Sequence, residues 1–260
     1  GMITDELEDA LRAGPKFIYV LSNFQNPTGV TLSMERRMKL IELADRYGIP
    51  IVEDDPYGQL RYEGEHLPSV VVLDDQFREN GTKPYRGNVI YLSTFSKTLA
   101  PGIRLAWVIA PAEVIRKLVQ AKQGADLNTA VFTQMVAYEV GHGGFLDRHV
   151  WTIRRIYGER RNIMLEEMEK HFPQGVTWTH PQGGLFLWAT MPPELNSIEV
   201  FTTAVEHKVA FVHGTPFFAK GGGESSMRLN FSYSSPEKIQ VGIERLGNVI
   251  LEKMKEKAIA

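Results

Sequence analysis

The chain has 260 residues, 43% of them hydrophobic, and its 29 basic and 31 acidic side chains leave a net charge of -2. That length suits one large domain or two modest ones at roughly 150 residues each, and balanced charge offers neither a basic surface for nucleic acid nor an acidic disordered tail. The absence of cysteine excludes disulfide scaffolds, thiolate zinc sites and thiol nucleophiles. Apolar runs such as 105–110 (LAWVIA) fall far short of the roughly 18 residues of a membrane span, and no signal peptide pattern opens the chain. A soluble cytoplasmic protein with no nucleic-acid and no membrane partner is expected. Gly1 before Met2 reads as a tag remnant.

In chain order, residues 2–14 carry one helix, and 17–22 (FIYVLS) is a short run of β-formers. Ser33 caps a helix in which Met34, Met38, Ile41 and Tyr47 recur at helical spacing, and Gly48 with Pro50 stops it. Ile51 begins a second strand ending near Asp54. This is a βαβ unit, with parallel strands and a right-handed crossover. Residues 56–87 hold Gly58, Gly64, Pro68, Gly81, Pro84 and Gly87 with weak periodicity, which predicts an irregular excursion with one short helix. Strands follow at 88–93 (NVIYLS) and 105–110. The polar loop between them, 95–104, is too short for a crossover helix, so these two run antiparallel.

Helices are predicted at about 111–123 and 128–140, and one long helical pattern over 145–171, despite Gly158 within it, is the expected domain bridge. Beyond it come short strands at 176–179, 184–190, 210–213 and 227–232, a helix near 197–208 and a final helix from about Pro236. That is a small α+β unit.

Three polar features sit just past the carboxyl ends of predicted strands: Asn26-Pro27-Thr28-Gly29, Asp54-Asp55-Pro56-Tyr57 and Thr94-Phe95-Ser96-Lys97. Ligands of open α/β sheets bind at that edge, so three separate segments converge on one crevice. Singly each is weak, because a lone lysine after a strand is ordinarily a solvated charge and a lone aspartate a turn residue. The seven histidines include no helical i, i+4 pair, and no metal site is expected. The glycine run at 221–223 does not follow a strand and open a helix, so it is not a phosphate loop. Gly183-Gly184 reads as a close backbone approach or a plain β-turn, and His213 as a substrate-region or a turn residue.

Together QNPTG at 25–29, EDDPYGQLRYEG at 53–64, STFSKTLAPGIRLAW at 93–107, PQGGLFLW at 181–188 and MRLNFS at 227–232 resemble the later part of a class I/II aminotransferase, a pyridoxal-phosphate enzyme of fold type I. Within that family the aminoadipate, kynurenine and aromatic aminotransferase branch is most similar. The resemblance implies an α/β fold: a partial large cofactor domain over 1–144, a bridging helix over 145–171 and a small C-terminal α+β domain over 172–260. It implies transfer of an amino group between an α-amino acid and a 2-oxo acid.

By the same resemblance Lys97 would form a Schiff base with pyridoxal 5'-phosphate and then shuttle a proton, for which its amine must be neutral. Asp54 would face the pyridine nitrogen and keep it protonated, making the ring an electron sink. Tyr57 and Asn26 would hydrogen-bond the ring's phenolic oxygen. Thr94, Ser96 and Arg104 would hold the phosphate, Thr94 standing where the family normally has Ser. Arg228, with Asn26 beside it in the substrate site, would clamp the α-carboxylate as a bidentate pair. His213 stands where relatives more often carry Pro.

Ordinary members of the family carry a substantial segment before the point matching Met2, with an early arm, several sheet strands, a Gly-rich turn at the phosphate and an aromatic residue on the ring. The resemblance therefore implies a partial enzyme. Its sheet is expected to expose an edge or an apolar face, filled by symmetric association with another copy, by a rearranged sheet or by a second chain; a homodimer is expected. The alternative reading is a catalytically incompetent fragment or the effector-binding domain of a transcription regulator. A lyase or decarboxylase on the same scaffold is a third, which Arg228 disfavours.

Overall fold

The computed structural model describes residues 1–78 and 84–259, so Gly81, expected as a turn residue, lies outside the described residues. They divide into two units, Gly1–Asn23 with Thr31–Thr152, and Phe24–Val30 with the chain from Ile153 onward.

In the first unit α1 (Leu7–Arg12), β1 (Ile18–Val20), α2 (Met34–Tyr47), β2 (Ile51–Asp54), α3 (Val70–Phe77), β3 (Val89–Thr94), β4 (Ala106–Ile109), α4 (Ala112–Ala125) and α5 (Val131–Gly141) follow in order. The sheet runs β1-β2-β3-β4, parallel across the first three strands and antiparallel between β3 and β4. The short polar connection forces that reversal, as its length predicts. Ser33 caps α2, its hydroxyl accepting the Arg36 amide at 3.3 Å, and Gly48 ends the helix at φ +63. Among its described residues the excursion after β2 holds one short helix, α3, as expected.

Of the four apolar residues whose spacing marks α2 as a helix, Ile41 is buried. Met34 and Met38 are 37% exposed, whereas Arg37, Leu40, Ile41, Leu43 and Ala44 are buried. Arg37 takes a core position because its guanidinium donates to Leu32 O, Pro68 O, Ser22 O and Asn23 Oδ1, and a buried cation is tolerated when its donors are satisfied. The core gathers Leu11, Val20, Leu40, Ile51, Val70 and Val89 around the parallel strands. No residue of β4 or α4 is buried, and only Ala137 of α5 is. β4 is an edge strand, and its consecutive residues Trp107, Val108 and Ile109 are exposed on both faces.

Helix α6 (Phe145–His171) passes Gly158 without a break and crosses the division between the units. The second unit continues with β5 (Thr177–Trp178), β6 (Phe186–Thr190), α7 (Ser197–Glu206), β7 (Val212–His213), β8 (Ser226–Asn230) and α8 (Pro236–Ile259). Its sheet is antiparallel throughout in the order β5-β6-β8-β7. Leu187 and Ala189 of β6, Met227 of β8, Ala204 of α7 and Leu246 and Ile250 of α8 are buried, and α7 packs on α8.

Residues 24–30, between β1 and α2 in sequence, belong to this second unit. Thr179 Oγ1 donates to Thr28 O at 2.8 Å. Gly184, at φ +75, approaches Phe24 so closely that an added Cβ would stand 2.5 Å from Phe24 Cβ. Gly184 is therefore needed for this close approach to Phe24. The 221–223 glycines all have positive φ and lead into β8 rather than a helix. Among the described residues no helix is long and apolar enough to cross a membrane.

Candidate active site

In the first unit the carboxyl ends of β2 and β3 lie side by side, with Asp54 paired to Leu92 in register. Side chains alternate along a strand, so Asp54 leaves the face opposite that of the wholly buried Glu53. Asp54 is half-buried, and Oδ2 accepts a 2.6 Å hydrogen bond from Tyr19 OH. Burial, followed by this bond and the Asp54 charge, holds the Tyr19 phenol well above its ordinary pKa. Tyr57 is 5% exposed, in the turn after Asp54.

Past β3 the chain gathers hydroxyls and a guanidinium. Thr94 Oγ1 donates to Ser96 Oγ at 3.0 Å and accepts the Ser96 amide at 3.1 Å. Arg104 Nη1 donates to Ser96 Oγ at 3.4 Å and to Pro101 O at 3.0 Å. Arg104 can turn back toward Ser96 because a 3-10 turn, Pro101–Ile103, precedes it and its own backbone is left-handed at φ +49. Lys97 is half-buried and has no hydrogen-bond or ion-pair partner among the described residues. Two hydroxyls and a guanidinium, with the unpaired lysine next after Ser96 in the chain, form a donor set of residue types that fits a phosphorylated carbonyl compound: the first three match phosphate oxygens, and the amine matches an aldehyde.

The other two expected residues lie together in the second unit. Arg228 Nη1 donates to Asn26 Oδ1 at 2.7 Å. The Arg228 guanidinium lies 4.3 Å from the centroid of the Phe186 ring and 5.3 Å from that of Phe217. Stacking on aromatic faces fixes the plane of a guanidinium, which suits it to a planar carboxylate. The Asn26-Pro27 peptide is cis. His213 Nδ1 lies 2.7 Å from Thr215 Oγ1 within the turn after β7, so the turn reading of that residue has its partner.

Asp54, Tyr57, Thr94, Ser96, Lys97 and Arg104 are thus in one unit, and Asn26 with Arg228 in the other. Sequence reasoning missed Tyr19, although the signal was there: Tyr19 pairs with Val52, and alternation then puts Tyr19 and Asp54 on one face. It also missed Phe186 and Phe217, the rings beneath Arg228, which stand in the PQGGLFLW and TPFF segments. Among the described residues no three His, Asp or Glu side chains are grouped so as to hold a metal ion.

Comparison with known proteins gives the same picture. The chain matches the family model "Aminotransferase class I and II" over residues 1–246. It is 44% identical to the aromatic-amino-acid aminotransferase 1 of Thermococcus litoralis, over 98% of this chain and 60% of that protein. It is 42% identical to the 2-aminoadipate transaminase of Thermus thermophilus, over 95% of this chain and 60% of that protein. The crystal structure of Pyrococcus horikoshii kynurenine aminotransferase with PMP superposes with a TM-score of 0.91 at 42% identity, over 98% of this chain and 62% of that one. The chain thus spans about 60% of the length of the curated relatives it matches. With motifs, fold and match in agreement along almost its whole length, the chain belongs to the class I and II aminotransferases of fold type I.

Proposed function

We propose that this chain carries the cofactor-binding and carboxylate-binding residues of a pyridoxal-phosphate-dependent transaminase moving an amino group between an α-amino acid and a 2-oxo acid. The observation that carries the reading is the hydrogen-bonded cluster of Thr94, Ser96 and Arg104, followed in the chain by the unpaired Lys97, at the end of the strand next to that of Asp54. When bound, the cofactor supplies an electron sink for charge developing at the substrate's α-carbon. The chain's own groups do the rest. Thr94, Ser96 and Arg104 would hold the phosphate, and Lys97 would hold the cofactor's carbonyl carbon and move a proton at Nζ. Asp54 would keep the ring nitrogen protonated, and Tyr57 and Asn26 would hydrogen-bond the ring's phenolic oxygen. Arg228 binds the substrate α-carboxylate, its plane set by Phe186 and its Nη1 by Asn26.

The same reading takes 1–144 as the large-domain part, 145–171 as the bridging helix and 172–260 as the small domain, in a cytoplasmic homodimer. The exposed apolar side chains of β4, α4 and α5 support association with a further copy.

Borohydride reduction of the chain mixed with pyridoxal phosphate, followed by peptide mass spectrometry, tests the cofactor assignment. One stable adduct at Lys97 is expected, lost in Lys97→Ala. Labelling scattered over many lysines would sink it. Half-transamination of the bound cofactor by a panel of amino acids then identifies the substrate side chain, and light scattering reports the association state.

A further inference from the structure

Next to Asp54 stands a second carboxylate for which the transaminase reading has no use. Asp55 is 8% exposed, and the structure holds it from every side. Its amide donates to Leu92 O at 2.9 Å, and its carbonyl accepts Ser93 Oγ at 2.9 Å. Its carboxylate accepts Asn23 Nδ2 at 3.0 Å on Oδ1 and Tyr91 OH at 3.2 Å on Oδ2. The side chain tucks beneath the turn that follows, where a Cβ on Gly58 would fall 2.4 Å from Oδ2. Having no Cβ, Gly58 lets this turn close over the carboxylate without displacing it.

Behind Asp55 the hydrogen bonds have a fixed direction. Arg37, fully buried, offers only donors. Its Nη2 donates to Asn23 Oδ1 at 2.7 Å and to Ser22 O at 2.9 Å, its Nη1 to Pro68 O at 2.7 Å, and its Nε to Leu32 O at 2.9 Å. With Asn23 Oδ1 committed to Arg37, Asn23 Nδ2 points at residue 55 and needs an acceptor there. A carboxylate meets that need and also balances the guanidinium charge. Burial lowers the Arg37 pKa, and the charges of Glu53 and Asp55 pull it back up.

We propose that Asp55 is a positioning residue, clamped by the Arg37–Asn23 relay and by Tyr91, which holds the Asp54–Tyr57 turn in the geometry needed to meet the cofactor ring. The proposal rests on the transaminase reading for the roles of Asp54 and Tyr57, but the brace is a property of the chain alone. Asp54 and Tyr57 flank Asp55 on either side, so a shift of its backbone moves both together. Displacement of such groups by an ångström costs far more in binding and rate than in stability.

The test compares the full chain with Asp55→Ala and with Tyr91→Phe, a milder change that removes one hydroxyl should the first variant fold poorly. Amide hydrogen exchange, read without cofactor, should quicken about tenfold across residues 54–60 in Asp55→Ala, quicken less in Tyr91→Phe, and stay unchanged in β6 and β8. Exchange that does not move overturns the brace. Pyridoxal phosphate is then titrated into each protein. Affinity about tenfold weaker and a displaced pH midpoint of the visible absorbance band are expected, with Lys97 still the site of the reduced adduct. Faster exchange with unchanged affinity and spectrum would make Asp55 merely structural and overturn the proposal. If the unaltered chain gives no adduct at Lys97, the cofactor reading fails instead, and exchange across 54–60 decides whether the brace exists.

Discussion

Glu53 shows how a single buried carboxylate can make stability depend on pH. It accepts Ser22 Oγ at 2.6 Å and the amides of Val70 and Val71 at 2.9 and 3.0 Å, at the start of α3. These bonds favour the ionised form, yet burial outweighs them and pushes its pKa up, with the Asp55 charge adding to the rise. The folded value therefore lies above the unfolded one of about 4.3. The proton is held more tightly in the folded state, so this contribution is fully present below the unfolded pKa and is lost as pH rises through the folded one. In Glu53→Gln the contribution is fixed. The stability of the unaltered chain relative to Glu53→Gln should thus decline from about pH 4 upward, by no more than about 1.4 kcal/mol per pH unit. Urea unfolding of both at a series of pH values measures it, and parallel curves would refute it. The family resemblance gives Asp54 a role but leaves its neighbours Glu53 and Asp55 without one. Strand alternation points the first and third inward and the second outward, but only the neighbours reveal that the inward pair is hydrogen-bonded rather than excluded.

At the scale of the element, α2 separates what is local from what is not. Its ends were legible because capping is chemistry within a few residues: Ser33 bonds the Arg36 amide, and Gly48 takes a left-handed backbone. Ser33→Ala should cost about 1 kcal/mol, and Ser33→Asp should recover most of it. Amide exchange within α2, with urea midpoints alongside, checks this, and an unchanged midpoint would mean that the hydroxyl is replaced by water without loss. Spacing marks the segment as a helix but does not say that a cation is buried in it: the core accepts Arg37 because four acceptors from three separate segments surround it. No window along one helix contains those acceptors. The antiparallel turn between β3 and β4 was legible for the opposite reason, since the eleven-residue connection, 95–105, has no length for a crossover.

Across the chain as a whole, apolar residues fall into two populations. The buried ones of α1 to α3 and β1 to β3 close around one another, while Phe132 is 81% exposed, Leu127 76% and Trp151 66%. Surface of this kind binds hydrophobic dyes and promotes association. Phe132→Ser combined with Leu127→Ser should lower dye fluorescence and scattering while changing stability by less than about 0.5 kcal/mol, as expected for exposed positions. Equal dye binding would show that this surface is covered in solution. By itself the sequence determined the family, the order of elements, the parallel and antiparallel pairings and the caps, because these follow from motifs, spacing and near-neighbour chemistry. Tertiary structure alone decided that Phe24–Val30 joins the second unit, that Arg228 rests on two phenylalanine rings, and that Arg37 and Asp55 are linked through Asn23. Each of these depends on partners far away in the chain, and a hydrogen bond or ring contact between distant residues exists only once folding has brought both sides together.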